Sequence, residues 1–229
     1  MNPTKNVLPR PVRALIFDLD GTLADTIGGI QDGMNETMAH YGYPERSYED
    51  IRHAIGNGAR LLVRRSMPEP DAQDDDRVSE VLAYYHAAYA HTFMHTRECY
   101  EGIVEAVKTL HARGYRLGVL SNKQDIYTKQ LVAQLFPDGE FSVVMGQTDL
   151  PTKPDPTVPH MIARALGVEP CECAMIGDSD VDIITAKNAG MVGIGCGWGY
   201  RGADMLRACG ADAVVDRPLA LSELLCDPK

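Results

Sequence analysis

Two carboxylates, Asp18 and Asp20, stand two residues apart in Phe17-Asp18-Leu19-Asp20-Gly21-Thr22, directly behind the apolar run Val12 to Phe17. Such a run predicts a buried strand, and residues i and i+2 of an extended backbone share a side. Both acids can therefore face one pocket, while Gly21 lets the chain reverse sharply. The pair suits phosphoryl chemistry with divided labour. Asp18 can attack phosphorus to form a mixed anhydride, and Asp20 can protonate the departing oxygen and later deprotonate water.

Other candidates follow later apolar runs. Ser121, Asn122 and Lys123 come after Tyr115 to Leu120, and Asp178, Ser179 and Asp182 come after Cys173 to Ile176. Lys153 lies beyond Ser142 to Met145, in a loop restrained by Pro151, Pro154 and Pro156. Ser121, Asn122 and Lys153 can clamp phosphate oxygens, with Thr22 as a weaker hydrogen-bond partner. With Asp18, Asp20, Asp178 and Asp182 ionised, one lysine leaves the cluster negative, and a dianionic phosphate would be repelled without a cation. Mg²⁺ fits such an all-oxygen set. Asp182 and Ser179 read as supporting residues, Asp182 orienting Lys153 or a metal-bound water. Lys123 and Arg201, taken singly, read as solvated surface cations, and Asp25 as a helix cap.

These residues need a frame that gathers strand ends. From Tyr100 onward the pattern alternates: helices near 102–112, 126–135, 157–166 and 181–189, and strands near 115–120, 142–145, 173–176, 191–194 and 213–215. That predicts an α/β fold, a doubly wound, mainly parallel Rossmann-like sheet with ligands beyond the carboxyl ends of its strands. Between the first motif and this region, apolar residues recur at helical spacing around 27–41, 48–54, 59–66 and 77–95, with the acidic run Asp71 to Asp76 in a loop. The expected organisation is a catalytic core of 1–23 and 99–229 with an inserted all-helical cap domain, 24–98. In that cap, Asn57 and Gly58 precede a helix carrying Arg60, so amides and a guanidinium could receive an anionic tail. His91 and His95 share a helix face without the acid of a metalloprotease motif and read as solvated or packing residues.

The chain has 229 residues, 45% hydrophobic and 24% charged, with a formal net charge of −10. That charge opposes binding to nucleic acid and anionic membranes and favours a small-molecule partner. No run approaches a membrane span, and the expected address is cytoplasmic, as a monomer or homodimer. The six cysteines are expected to be reduced, and Cys171-x-Cys173 is too tightly spaced for a zinc knuckle.

In order, DLDGTLADT, SNK, the Lys of KPDP and GDSDVD resemble the four motifs of the haloacid dehalogenase superfamily. Ile55 to Gly58, Gly146 to Pro151 and Gly197 to Arg201 further resemble phosphoglycolate phosphatases within it. The resemblance implies Asp18 as nucleophile, Asp20 as acid/base with its carbonyl on Mg²⁺, and Asp178 as a metal ligand. It also implies 2-phosphoglycolate as substrate, with a cap that opens and closes. A dehalogenase is disfavoured because Asp20 is present, and imine chemistry because 24–98 contains no lysine. A sugar phosphomutase, a phosphatase for sugar phosphates, nucleotides or pyrophosphate, and a noncatalytic phospholigand-binding regulator are the alternatives.

Overall fold

The computed structural model describes residues 8–95 and 98–225, and Cys226 lies outside that range. Contacts divide the chain into two compact units, Met1–Ala24 with Cys99–Lys229, and Asp25–Glu98.

The first unit is built on β1 (Ala14–Phe17), and the short strands β2 (Ala24–Asp25) and β3 (Glu98–Cys99) pair where the chain passes between units. It continues with β4 (Arg116–Gln124), β5 (Phe141–Gln147), β6 (Cys173–Gly177), β7 (Val192–Cys196) and β8 (Ala213–Val215). Six of these form one sheet in the order β5-β4-β1-β6-β7-β8, each neighbouring pair parallel. All four residues of β1 are buried, as a strand covered on both faces requires, which is why it reads as a continuous apolar run. Against one face pack Ile16, Met175, Ile162 and Leu166 in a common cluster. Register brings the strand ends level: Phe17 is opposite Val119 on one side and Ile176 on the other. The residues that follow these three positions therefore emerge together.

The sheet carries helices at Ile103–Ala112, Asp125–Leu135, Thr157–Ala165 and Asp180–Ala189, close to the expected ranges, and short helices at Ala203–Ala208 and Ala220–Leu224 that lack enough periodic residues to be read from sequence. The main departure is β4, which continues four residues past Leu120. Ser121 to Gln124 are polar and read as a loop, yet their backbone stays extended and Gln124 pairs with Gln147 of β5.

Among the described residues, the second unit is built from α1 (Ile27–His40), α2 (Tyr48–Ala54), α3 (Ala59–Ser66) and α4 (Asp75–Thr92), with a 3₁₀ turn at Asp71–Gln73. Part of the acidic run is helical instead of a loop. Asp74 caps α4 by accepting from the Asp76 and Arg77 N–H groups, and Asp75 and Asp76 occupy its first turn, where the helix dipole favours negative charge. The helices α1 and α4 approach closely at Gly29, whose carbonyl accepts from the Thr92 hydroxyl at 2.9 Å. His91 of α4 meets Glu36 of α1 at 2.8 Å and His95, past the end of α4, meets Asp32 of α1 at 2.9 Å, so the two do not share one helix and both make exposed polar contacts. Asp25 accepts from the Ile27 N–H at the start of α1.

Candidate active site

Asp18 leaves β1 with its N–H donating to Ile176 O at 2.8 Å, so its backbone is still held by the sheet. The chain then turns tightly: Leu19 O accepts from the N–H groups of Thr22, Leu23 and Ala24. Gly21 sits at φ 85° in this turn, and a Cβ there would lie 2.4 Å from Asp178 Oδ2, so both conformation and space require glycine. Asp18 Oδ1 accepts from the Leu19 N–H at 2.7 Å and from Lys153 Nζ at 2.9 Å.

Lys153 is almost wholly buried, its side chain 2% exposed, and its ammonium also meets Asp182 Oδ1 at 2.7 Å. Asp182 is held in turn by a capping box at the start of the Asp180–Ala189 helix. Its Oδ2 accepts from the Ser179 N–H and hydroxyl at 3.1 and 2.6 Å, while Ser179 Oγ accepts from the Asp182 N–H. The cap that starts the helix thus also aims the carboxylate that holds the lysine.

Two expected phosphate donors have other tasks. The Asn122 side chain brackets the Lys153 peptide, accepting from its N–H at 2.9 Å and donating to its carbonyl at 3.1 Å, because the proline-bounded loop offers those groups no regular partner. Thr22 is fully buried, and its hydroxyl donates to Asp178 Oδ1 at 3.2 Å. Ser121 is buried at the end of the apolar part of β4. Asp178 Oδ2 accepts from the Tyr200 N–H at 2.8 Å, and Trp198 Nε1 donates to Thr22 O at 3.1 Å. Backbone donors such as Tyr200 N–H carry no residue signature, so this support was invisible in the sequence.

Lys123 corrects the expectation of a solvated cation. Its side chain is 5% exposed, and its ammonium lies 2.9 Å from Asp20 Oδ1. The cause lies in the end of β4: the strand runs on past Leu120 with a register shift against β5 before Gln124, and this irregular stretch carries Lys123 into the site. Arg201, also expected in water, is half-buried.

The electrostatics follow from burying three acids, Asp18, Asp178 and Asp182, with the half-buried Asp20 beside them. Burial pushes Asp18 up to about 7, with Asp182 and Asp20 adding to the effect and Lys153 opposing it. Asp178 is held well above the usual carboxylate range by burial and by Asp182 and Asp18. Burial works against the charge of Lys153, yet Asp18 and Asp182 overcome it and keep the ammonium protonated. One oxygen from each of Asp18, Asp178 and Asp182 lies within 4.8 Å of the others, a hard-oxygen cluster that fits a divalent cation, whose charge would relieve this repulsion. Asp182 is tied to the Lys153 ammonium through one oxygen and to Ser179 through the other.

Asn57, Gly58 and Arg60 belong to the helical unit, where Gly58 caps α3. Arg60 donates to Ser79 Oγ at 2.9 Å and to the carbonyl of Asp75 at 3.2 Å, with the Asp75 carboxylate at 3.4 Å, so its charge has a counter-ion within that unit.

A family model for haloacid dehalogenase-like hydrolases matches residues 15–196. A phosphoglycolate phosphatase of Rhodospirillum rubrum is 34% identical over 223 residues, 95% of this chain and 92% of that protein. Phosphoglycolate phosphatase 1 of Pseudomonas aeruginosa is 33% identical over 192 residues, 82% of this chain and 70% of that protein. A crystal structure from Lactobacillus delbrueckii subsp. bulgaricus, provisionally assigned as a phosphoglycolate phosphatase, superposes with a TM-score of 0.87 at 30% identity, covering 94% of this chain and 99% of that one.

Proposed function

Because the chain belongs to the haloacid dehalogenase-like hydrolases, we propose that it hydrolyses small phosphomonoesters, 2-phosphoglycolate foremost, through a phosphoryl group carried on Asp18. The observation that carries this reading is the meeting of Asp18, Lys153, Asp182 and Asp178 at the level carboxyl ends of β1 and β6. An attacking carboxylate, a buried ammonium and an oxygen-lined cation cluster are what transfer from a dianionic ester demands. The named substrate is drawn from the curated relatives.

An oxygen of Asp18 forms a bond to phosphorus as the ester P–O bond breaks, and the departing alcohol oxygen takes the proton of Asp20. Asp20, now a carboxylate, removes a proton from water, whose oxygen bonds to phosphorus. The P–O bond to Asp18 breaks, releasing inorganic phosphate and restoring both acids to their starting states. Lys153 offsets charge on the transferring group and, anchored by Asp182, keeps Asp18 aligned. A divalent cation, Mg²⁺ in this reading, would be held by Asp18, Asp178 and the Asp20 carbonyl and would supply charge neutralisation. Substrate selection by the helical unit is part of the same proposal.

Phosphate release with Mg²⁺ from 2-phosphoglycolate, sugar phosphates, nucleotides and pyrophosphate tests the reading. The expected result is turnover of the first, lost by roughly 10³-fold or more in Asp18→Asn. Undiminished release by Asp18→Asn would remove the covalent route.

A further inference from the structure

We propose that Lys123 is the receptor for a carboxylate on the leaving alcohol, making it the core residue that selects phosphate esters of 2-hydroxy acids over neutral alkyl phosphates. The proposal rests on the phosphatase reading of the same site and locates the selectivity that reading leaves open. Lys123 is one of two buried lysines around the acids, and the two are placed differently. Lys153 bridges Asp18 and Asp182, on the side of phosphoryl transfer. Lys123 lies 2.9 Å from Asp20, the group assigned to the leaving oxygen.

Distance then selects the ligand. A proton donor must come within about 3 Å of the oxygen it serves, so the leaving oxygen lies in the neighbourhood of the Lys123 ammonium. In a glycolate ester two covalent bonds separate that oxygen from the carboxylate carbon, a span of about 2.5 Å. An anion so placed can contact Lys123 without leaving the Asp20 position, whereas a neutral ethyl group offers the ammonium nothing. Burial strengthens the preference, because an ammonium with 5% exposure meets an anion with little competing water. In the helical unit Arg60 is matched with Asp75 and Ser79, as Lys123 is with Asp20, and what sets Lys123 apart is that its partner is the group assigned to the leaving oxygen.

The test compares kcat/KM for 2-phosphoglycolate and ethyl phosphate in the full-length wild type, Lys123→Met, Lys123→Arg and Arg60→Ala, with Lys123→Gln replacing the Met variant should that not fold. The expected result is a fall in the phosphoglycolate-to-ethyl ratio of about tenfold or more in Lys123→Met, carried mainly by KM for phosphoglycolate, with substantial recovery in Lys123→Arg. Inhibition of ethyl phosphate hydrolysis by free glycolate should weaken in parallel. An unchanged ratio, or an equal fall for both esters as expected of a residue that only positions Asp20, overturns the proposal. So does loss of the ratio in Arg60→Ala with retention in Lys123→Met. Wild type that turns over neither ester overturns the phosphatase reading itself, and the proposal with it.

Discussion

At the residue scale the site is governed by how few charges offset its buried acids. Asp18 is drawn two ways, up by burial and down by Lys153, and burial wins, leaving it at about 7 against an ordinary 3.8. The folded state therefore holds this proton more tightly than the unfolded chain. The associated stability is fully present below 3.8 and is lost as pH rises through about 7. Metal-free protein should accordingly become less stable across that window, and Asp18→Asn, which has no proton to lose, should flatten the slope. Thermal melts in chelator at stepped pH measure both, and a wild-type profile as flat as that of the variant would refute the stated balance. The same tension explains Lys153: buried between two carboxylates, it remains charged because they overcome the burial penalty.

At the element scale, helices and strands place side chains by means that also stabilise them. The capping box of the Asp180–Ala189 helix joins Ser179 to Asp182, and Asp182 also holds Lys153, so one local motif serves both stability and alignment. In the helical unit, α1 and α4 meet backbone to backbone, and a Cβ at Gly29 would fall 2.6 Å from Thr92 O. The Gly29→Val variant should therefore lose about 1–3 kcal/mol through overpacking, read as a lower midpoint in urea unfolding. A midpoint unchanged from wild type would show that the helices separate at no cost. β4 teaches a related lesson: its last residues are polar because they line a site, and polarity disguised them as a loop.

At the scale of the whole molecule, the formal charge of −10 coexists with the buried acidic cluster of Asp18, Asp178 and Asp182. If that cluster holds the proposed cation, folding and binding are linked: about a hundredfold excess of cation over its Kd should stabilise the protein by roughly 2.7 kcal/mol. Melting with and without Mg²⁺ measures this, and Asp178→Asn should lose most of the shift. An equal shift in that variant would place the cation elsewhere. Among the described residues no helix is long and apolar enough to cross a membrane.

Sequence alone determined the parts whose causes are local. Buried parallel strands must be continuously apolar, amphipathic helices must repeat every three or four residues, and Asp18, Asp20, Lys153 and Asp178 announce themselves by type and order beside those strand ends. The tertiary structure decided the parts whose causes are distant in the chain. Asn122 serves the Lys153 backbone, Thr22 and the Tyr200 N–H serve Asp178, and Lys123 finds Asp20 instead of water. The reason is physical: a side chain's partner is set by which segments the sheet register brings level, and residues that meet from separate segments of the chain leave no mark of that meeting in their own neighbourhoods.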